Sequence, residues 1–129
     1  MFASKDEVYA SMESKDVAIV NVLPPVSYEA SHIPGSINVN CMELMQGDFS
    51  HGFDTLLPND ELALRLKEVS QHKRIITYCG GGIAAAVNAA AHLLTGHKNI
   101  AVYDGSLYEW LGEKLPVIGT GKWEVWMQK

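Results

Sequence analysis

The sequence has 129 residues, of which 47% are hydrophobic and 19% charged, and this composition is typical of one ordinary globular domain. Its formal net charge of −5 argues against a nucleic-acid-binding protein, which needs clustered Lys and Arg. Residues 1–15 lack the unbroken apolar core of a signal peptide, and no stretch reaches the roughly 20 apolar residues that cross a bilayer. We therefore predict a single cytoplasmic domain over residues 1–129, with a core at about 5–116, a tail at 117–129 and no membrane partner.

The two cysteines, Cys41 and Cys79, are too few for a disulfide scaffold and lie far apart in the sequence. An unexported protein normally keeps such thiols reduced. The five His residues are not paired at metal-ligand spacing, and the sequence has no Cys-x-x-Cys motif. We therefore expect no metal site.

The first half of the chain alternates between helix and strand signals. Ser4 and Glu7 have the spacing of a capping box, and the apolar run after Asp16 is rich in β-branched residues. The predicted elements are a helix over 5–14, a buried strand over 17–22, a helical turn over 25–30 and a short strand over 36–39. Glycines and Pro58 interrupt residues 40–58, so we predict a long connection over one end of the sheet.

The second half continues the alternation. Asn59 is predicted to cap a helix whose apolar face consists of Leu62, Leu64, Leu66 and Val69. Further predicted elements are a buried strand over 74–78, an alanine-rich helix over 84–94 that ends at Gly96, a strand over 100–103 and a short helix capped by Ser106 that runs through Leu111. Alternating strands and helices predict an α/β fold with a central parallel sheet and helices on both faces.

Cys79 lies at the carboxyl end of a predicted strand, where open parallel sheets bind their ligands. Gly80, Gly81 and Gly82 follow, and they allow backbone N–H groups to converge on a sulfur or an anion at the start of the next helix. Such a setting stabilises a thiolate. Cys79 is therefore either a nucleophile or a small buried apolar residue, whereas Cys41 has no comparable setting and is expected to be structural or incidentally exposed.

Three motifs of the sequence resemble those of the rhodanese family of sulfurtransferases, and the likeness covers residues 17–116. The motifs are Tyr28 with His32-Ile33-Pro34-Gly35-Ser36, where Ser36 replaces the usual alanine; Tyr78-Cys79-Gly80-Gly81-Gly82-Ile83-Ala84; and Tyr103-Asp104-Gly105-Ser106 with Glu109 and Trp110, where Leu107 replaces the usual aromatic residue. Their order and spacing match those of the family.

The resemblance implies a rhodanese-like domain and a catalytic role for Cys79. Its thiolate would take a sulfane sulfur from thiosulfate, a persulfide or mercaptopyruvate and pass it to a thiol, including a protein thiol, or to cyanide. The substrate-binding groups it implies are the backbone amides of Gly80, Gly81, Gly82, Ile83 and Ala84. It implies no metal and no organic cofactor.

Two departures from the family pattern keep an alternative open. Asn21 and Leu23 stand where Asp and Arg are common, which predicts that a structural ion pair is lost, and no Lys or Arg lies between Gly80 and Ala91. The alternative is a catalytically quiet rhodanese-like module that binds a partner or senses reactive sulfur. A cysteine phosphatase is disfavoured, because Ala85 occupies the position of its anion-binding Arg.

Several other polar residues have structural interpretations. We expect His32 to fix a turn, Asp104 and Glu109 to cap a helix and tie down a loop, and His51 to be exposed. Asn88 is expected to reach a loop carbonyl or water. In the tail, Trp123, Val125 and Trp126 are expected either to pack on the domain or to form a dimer contact.

Overall fold

A computed structural model describes residues 2–48, 52–80 and 83–119. In chain order the elements are α1 (Lys5–Ser11), β1 (Val17–Asn21), α2 (Pro25–Ala30), β2 (Ile37–Asn38), a 3₁₀ turn (Cys41–Leu44), β3 (Met45–Asp48), β4 (Gly52–Leu56), α3 (Asn59–Arg65), a second 3₁₀ turn (Val69–Gln71), β5 (Arg74–Tyr78), α4 (Ile83–Leu94), β6 (Ile100–Val102) and α5 (Ser106–Gly112). In these ranges the longest helix, α4, has 12 residues, and none is long and apolar enough to span a membrane.

Four of the described strands form a parallel sheet in the order β2-β1-β5-β6. β1 and β5 pair along their whole length, from Val17 opposite Arg74 to Asn21 opposite Tyr78. Parallel strands whose neighbours lie far apart in sequence need helical crossovers, and the helices provide them. The predicted α/β fold is therefore confirmed.

The sheet buries both of its faces. On one face, α1 and α5 pack their buried residues, including Val8 and Trp110, against Ile19 and Ile76. On the other face, α4 packs Ala85 and Ala89 against a cluster that includes Ala18, Val20 and Ile75. Successive strand residues point to opposite faces, and this is why both alternate positions of β1 and β5 carry apolar residues such as Ala18, Ile19, Ile75 and Ile76.

The segment predicted as one long connection is different in the structure. After the 3₁₀ turn, β3 and β4 pair as an antiparallel hairpin, and their register shifts between Gln46 and Asp48. That shift places Gly47 at an irregularity of the ladder, where glycine is common. The glycines that argued against strands therefore belong to a bulged hairpin.

Two predictions about α3 are wrong. Pro58 precedes the helix with no side-chain cap, and the Asn59 amide instead donates to the carbonyl of Leu94 over 3.5 Å. Leu62 and Leu66 are one turn apart and fully buried, whereas Leu64, half a turn away, is 74% exposed. Helix periodicity excludes Leu64 from the same face.

The first helix is also shorter than predicted, since α1 ends at Ser11, although Ser4 caps it as expected.

Gly35 requires its residue type. It lies in the turn before β2 with φ +83°, and a Cβ built on it would lie 2.6 Å from the carbonyl oxygen of Met12. Residues with a Cβ rarely adopt this conformation, and a backbone oxygen cannot rotate away.

We expect Gly35→Ala to lower the free energy of unfolding by about 2–3 kcal/mol, because backbone strain and the contact with Met12 add together. Gly112→Ala is the matched control, since a Cβ there meets nothing within 4 Å and φ is not positive. The measurement is urea unfolding. Equal stability of the two variants would show that the turn relaxes freely.

α4 carries two polar side chains inside the protein. Asn88 and His92 are fully buried, and neither has a hydrogen-bond partner among the described residues. The expectation that Asn88 reaches a loop carbonyl or water is therefore wrong. Burial, and next the nearby His97, lower the pKa of His92 to about 4.

The native state therefore favours neutral His92, and the unfolded chain, with a His pKa near 6.5, binds the proton more readily. The contribution of neutral His92 to stability is complete above pH 6.5 and is lost as the pH falls toward 4. We expect wild type to lose about 3 kcal/mol from this group over that window and His92→Leu to lose none of it. Urea unfolding at a series of pH values measures the difference, and parallel curves would contradict the expectation.

Candidate active site

Cys79 follows β5 directly and lies in front of α4 at the carboxyl edge of the sheet. The residue is 3% exposed, and its side chain packs in the same cluster as Ala85 and Ala89 of α4. The hydroxyl of Thr77 donates to the carbonyl of Ala85 over 2.8 Å, which ties the first turn of α4 to β5. The thiol is thus held between a strand end and a helix start.

The first turn of α5 fixes the backbone around Cys79. The N–H of Cys79 donates to Ser106 Oγ over 3.0 Å, and its carbonyl accepts from the N–H of Leu107 over 2.9 Å. The carbonyl of Gly80 accepts from the N–H of Tyr108 over 3.1 Å. Both backbone polar groups of Cys79 are therefore satisfied by a segment 27 residues away.

Ser106 has a different role from the predicted helix cap. Gly105 precedes α5, and no side chain caps that helix. The buried Ser106 hydroxyl instead donates to the carbonyl of Tyr103 over 2.9 Å and lies 4.0 Å from Cys79 Sγ. Its φ is +52°, an unfavourable value for serine. The interaction of Ser106 with Cys79 was not predicted from the sequence, where the only signal for it was the serine in the third motif.

On the β1 side, neutral hydrogen bonds occupy the place of the ion pair that the sequence predicts to be lost. Asn21 Oδ1 accepts from the N–H of Leu23 over 2.9 Å and from Asn38 Nδ2 over 3.3 Å. Its Nδ2 donates to Tyr78 Oη over 3.0 Å. Leu23 packs against both core clusters. The amide of Asn21 therefore joins β1, β2 and β5 without a charge.

His32 fastens the turn, as expected. Its Nδ1 lies 2.8 Å from the carbonyl of Tyr28, and the two rings stack with centroids 3.9 Å apart. The backbone of His32 also exchanges hydrogen bonds with that of Ile118. The contacts given for the His32 ring are with Tyr28 and not with Cys79, so its role is structural.

Of the two acids in the third motif, Glu109 ties down the loop as expected. The expectation that Asp104 and Glu109 cap the helix is wrong, because no side chain of the described residues caps α5. Tyr103 Oη donates to Glu109 Oε1 over 2.7 Å, whereas Asp104 is exposed. Burial, and next the bond to Glu109, raise the pKa of Tyr103 above its ordinary range, so this hydroxyl stays protonated.

Some predicted residues lie outside the described ranges. Gly81 and Gly82 are among them, as are His51 and, in the tail, Trp123, Val125 and Trp126. Gly80, which follows Cys79 in the chain, is buried, while Ile83 and Ala84 are the first two residues of α4. The substrate-binding role of residues 80–84 therefore stays a prediction.

The charged groups of the described chain are unevenly placed about the sheet. Lys15, Lys73, Arg74 and Lys98 lie at or before the amino ends of their strands, whereas the described residues that directly follow the carboxyl ends include no Lys or Arg. Within the same ranges, no three His, Cys, Asp or Glu side chains form a cluster that could hold a metal ion. Among the described residues, the polar groups that contact Cys79 include the hydroxyl of Ser106 and the N–H of Leu107.

The fold and the site together define an α/β domain with a buried cysteine between a parallel strand and the helix that follows it. Residues 4–113 match the family described as Rhodanese-like domain, and the chain belongs to that family.

The chain is similar to sulfurtransferases from several organisms. It is 30% identical over 123 residues to thiosulfate/3-mercaptopyruvate sulfurtransferase 2 of Arabidopsis thaliana, covering 90% of this chain and 34% of that protein. It is 31% identical to the 3-mercaptopyruvate sulfurtransferase of Rattus norvegicus, covering 77% and 33%, and 32% identical to the thiosulfate sulfurtransferase of Bos taurus, covering 70% and 30%. The chain thus spans about a third of the length of these relatives.

Solved structures share the fold. The BH2092 protein of Bacillus halodurans superposes with a TM-score of 0.70 at 22% identity, covering 93% of this chain and 77% of that one. The anaerobic ergothioneine biosynthesis enzyme of Chlorobium limicola superposes with a TM-score of 0.75 at 21% identity, covering 91% and 31%.

We expect Ser106→Ala to cost about 1–3 kcal/mol of stability, because the buried N–H of Cys79 loses its acceptor. Ser106→Gly loses the same acceptor but relieves the positive φ, so it should be more stable than Ser106→Ala by about 1 kcal/mol. Urea unfolding measures both variants. A Ser106→Gly protein less stable than the Ser106→Ala protein would contradict this account of the strained backbone.

Proposed function

We propose that this domain is a sulfurtransferase that carries sulfane sulfur on Cys79. The observation that supports this most strongly is the setting of the thiol. Cys79 is held between the end of β5 and the start of α4, with its N–H and carbonyl both fixed by α5. A fixed thiol at a helix start is suited to nucleophilic attack.

The proposed reaction has two steps. The Cys79 thiolate attacks the outer sulfur of thiosulfate or of a persulfide, or the thiol sulfur of mercaptopyruvate, and a bond forms between the two sulfurs. The rest of the donor leaves with the electron pair of the broken bond: sulfite from thiosulfate, a thiolate from a persulfide and, from mercaptopyruvate, the enolate of pyruvate, which then takes up a proton. An acceptor thiolate or cyanide then attacks the outer sulfur of the Cys79 persulfide. This releases the modified acceptor and restores the thiolate, so no net redox change occurs at Cys79.

The proposed binding groups are the backbone amides of residues 80–84. N–H groups at a helix start stabilise the charge of the thiolate, of the persulfide and of an incoming anion. Relatives about three times as long as this chain are named for thiosulfate or 3-mercaptopyruvate, and we propose these two compounds as candidate donors for this chain. The absence of Lys and Arg from residues 80–91 favours a donor that carries less charge than thiosulfate.

Incubation with thiosulfate, mercaptopyruvate or glutathione persulfide should add one sulfur atom to Cys79, as measured by intact mass and peptide mapping. Cys79→Ser should abolish the addition, and Cys41→Ser should leave it unchanged. A folded protein that accepts sulfur from none of these donors would sink the proposal.

Transfer onward is tested by adding cyanide or a thiol to the isolated persulfide. Loss of the added sulfur, with formation of thiocyanate or a new persulfide, is the expected result. A persulfide that forms but passes to no acceptor would instead favour the catalytically quiet, sulfur-sensing module.

A further inference from the structure

The hydroxyl of Tyr78, the residue before Cys79, is a buried junction of three chain segments. Tyr78 is fully buried, and three polar groups lie within hydrogen-bond distance of its Oη. They are Asn21 Nδ2 at 3.0 Å, the backbone N of Ile33 at 2.9 Å and Ser36 Oγ at 2.9 Å. These groups come from the end of β1, from the turn after α2 and from the residue before β2.

The donors and acceptors of this junction can be assigned. The N–H of Ile33 can only donate. Asn21 Oδ1 accepts from the N–H of Leu23 and from the amide of Asn38. These contacts fix the orientation of the Asn21 amide, so its Nδ2 must face Tyr78. Two donors therefore occupy the acceptor positions of the Tyr78 oxygen. Its own proton has one remaining acceptor in the junction, Ser36 Oγ.

The junction lies next to the nucleophile. The carbonyl of Tyr78 accepts from the N–H of Val22 over 3.1 Å, and the following peptide N–H, that of Cys79, binds Ser106. The Tyr78 side chain thus fixes the strand end from the β1 side, opposite the α5 contacts. Burial raises the pKa of Tyr78 to about 12, so the hydroxyl keeps the proton that Ser36 accepts.

We propose that Asn21 and Ser36 act as one coupled pair of positioning residues, which hold Cys79 in place through the Tyr78 hydroxyl. Asn21 donates to the Tyr78 oxygen, so it cannot accept the Tyr78 proton, and Ser36 is therefore required as the acceptor of that proton. This inference rests on the proposed function in so far as it concerns the rate of chemistry at Cys79. Neither Asn21 nor Ser36 is proposed to touch the substrate.

The pair gives a specific pattern of coupling. Ser36→Ala leaves the Tyr78 proton buried without an acceptor, and Tyr78→Phe removes that proton, so the two changes act on the same interaction. Asn21→Asp replaces the donor by a carboxylate, which can accept the Tyr78 proton itself. Asn21→Asp should therefore rescue the Ser36→Ala protein.

The first test is amide hydrogen exchange at Cys79, compared with exchange at Ala101 in β6 as a measure of global opening. Ser36→Ala should accelerate exchange at Cys79 by about tenfold, and Tyr78→Phe by more, because it also leaves the N–H of Ile33 and the Asn21 amide without an acceptor. The double variant should be no faster than Tyr78→Phe. Ser31→Ala is the matched control, since Ser31 is a buried serine near the same turn and makes none of the hydrogen bonds to Tyr78 Oη.

The second test is the single-turnover rate of persulfide formation over a range of donor concentrations. Ser36→Ala should lower the maximal rate about fivefold without changing the half-saturating concentration, and Asn21→Asp in that background should restore most of the rate. Effects of Ser36→Ala and Tyr78→Phe that multiply in the double variant, or a Ser36→Ala protein equal to wild type, would overturn the coupling. If no donor modifies Cys79, the proposed function fails, while the exchange measurements still decide the coupling.

Discussion

The position of Cys79 depends on how its two backbone polar groups are satisfied. The last residue of β5 that pairs with β6 is Thr77, opposite Val102, and one further ladder bond joins Tyr103 to Thr77. Cys79 lies beyond that pairing, yet it is buried, so its N–H and carbonyl need partners that the sheet no longer supplies. Ser106 and Leu107 supply them. Cys79 can therefore lie beyond the sheet without leaving its buried N–H and carbonyl unpaired.

The hydrogen bonds described around Tyr78 and Cys79 are made by neutral polar groups. The amide of Asn21, the phenol of Tyr78 and the hydroxyl of Ser106 each meet a backbone group there. The ion pairs of Lys5 with Glu113 and of Arg74 with Glu7 are not among these contacts. Neutral groups can be buried at much lower desolvation cost than charges. A site of this kind depends more on exact hydrogen-bond geometry than on Coulomb attraction.

The strands of the parallel sheet and α4 were predictable because their signals are local. β1 and β5 are rich in β-branched residues, and α4 is alanine-rich up to Gly96, which adopts φ +98°. Where competing local signals overlapped, prediction failed, as in the hairpin around Gly47 and at Asn59.

Cys79 was predicted as the candidate nucleophile from its neighbours in sequence, but the hydrogen-bond partners around it were not predicted. Ser106 is 27 residues from Cys79, and Asn21 is 57 residues from Tyr78. No local pattern encodes such contacts, because they follow from sheet order and register. Asn88 and His92 of α4 are buried without a hydrogen-bond partner in the described part of the chain, and this was equally unpredictable, since nothing in an alanine-rich helix shows which polar residue faces inward.

The pairing of β1 with β5 also affects how the chain acquires its structure. These central strands are joined by two helices, a hairpin and β2, so their contact closes a loop of more than 50 residues before most of the sheet can form. Loop closure of this kind carries an entropic cost that local contacts do not repay, and proteins rich in distant contacts fold in milliseconds to seconds. The same logarithmic dependence on loop length means that a longer β3–β4 hairpin would add little to the barrier. Evolution can therefore vary that hairpin in length while the edge that holds Cys79 keeps its register.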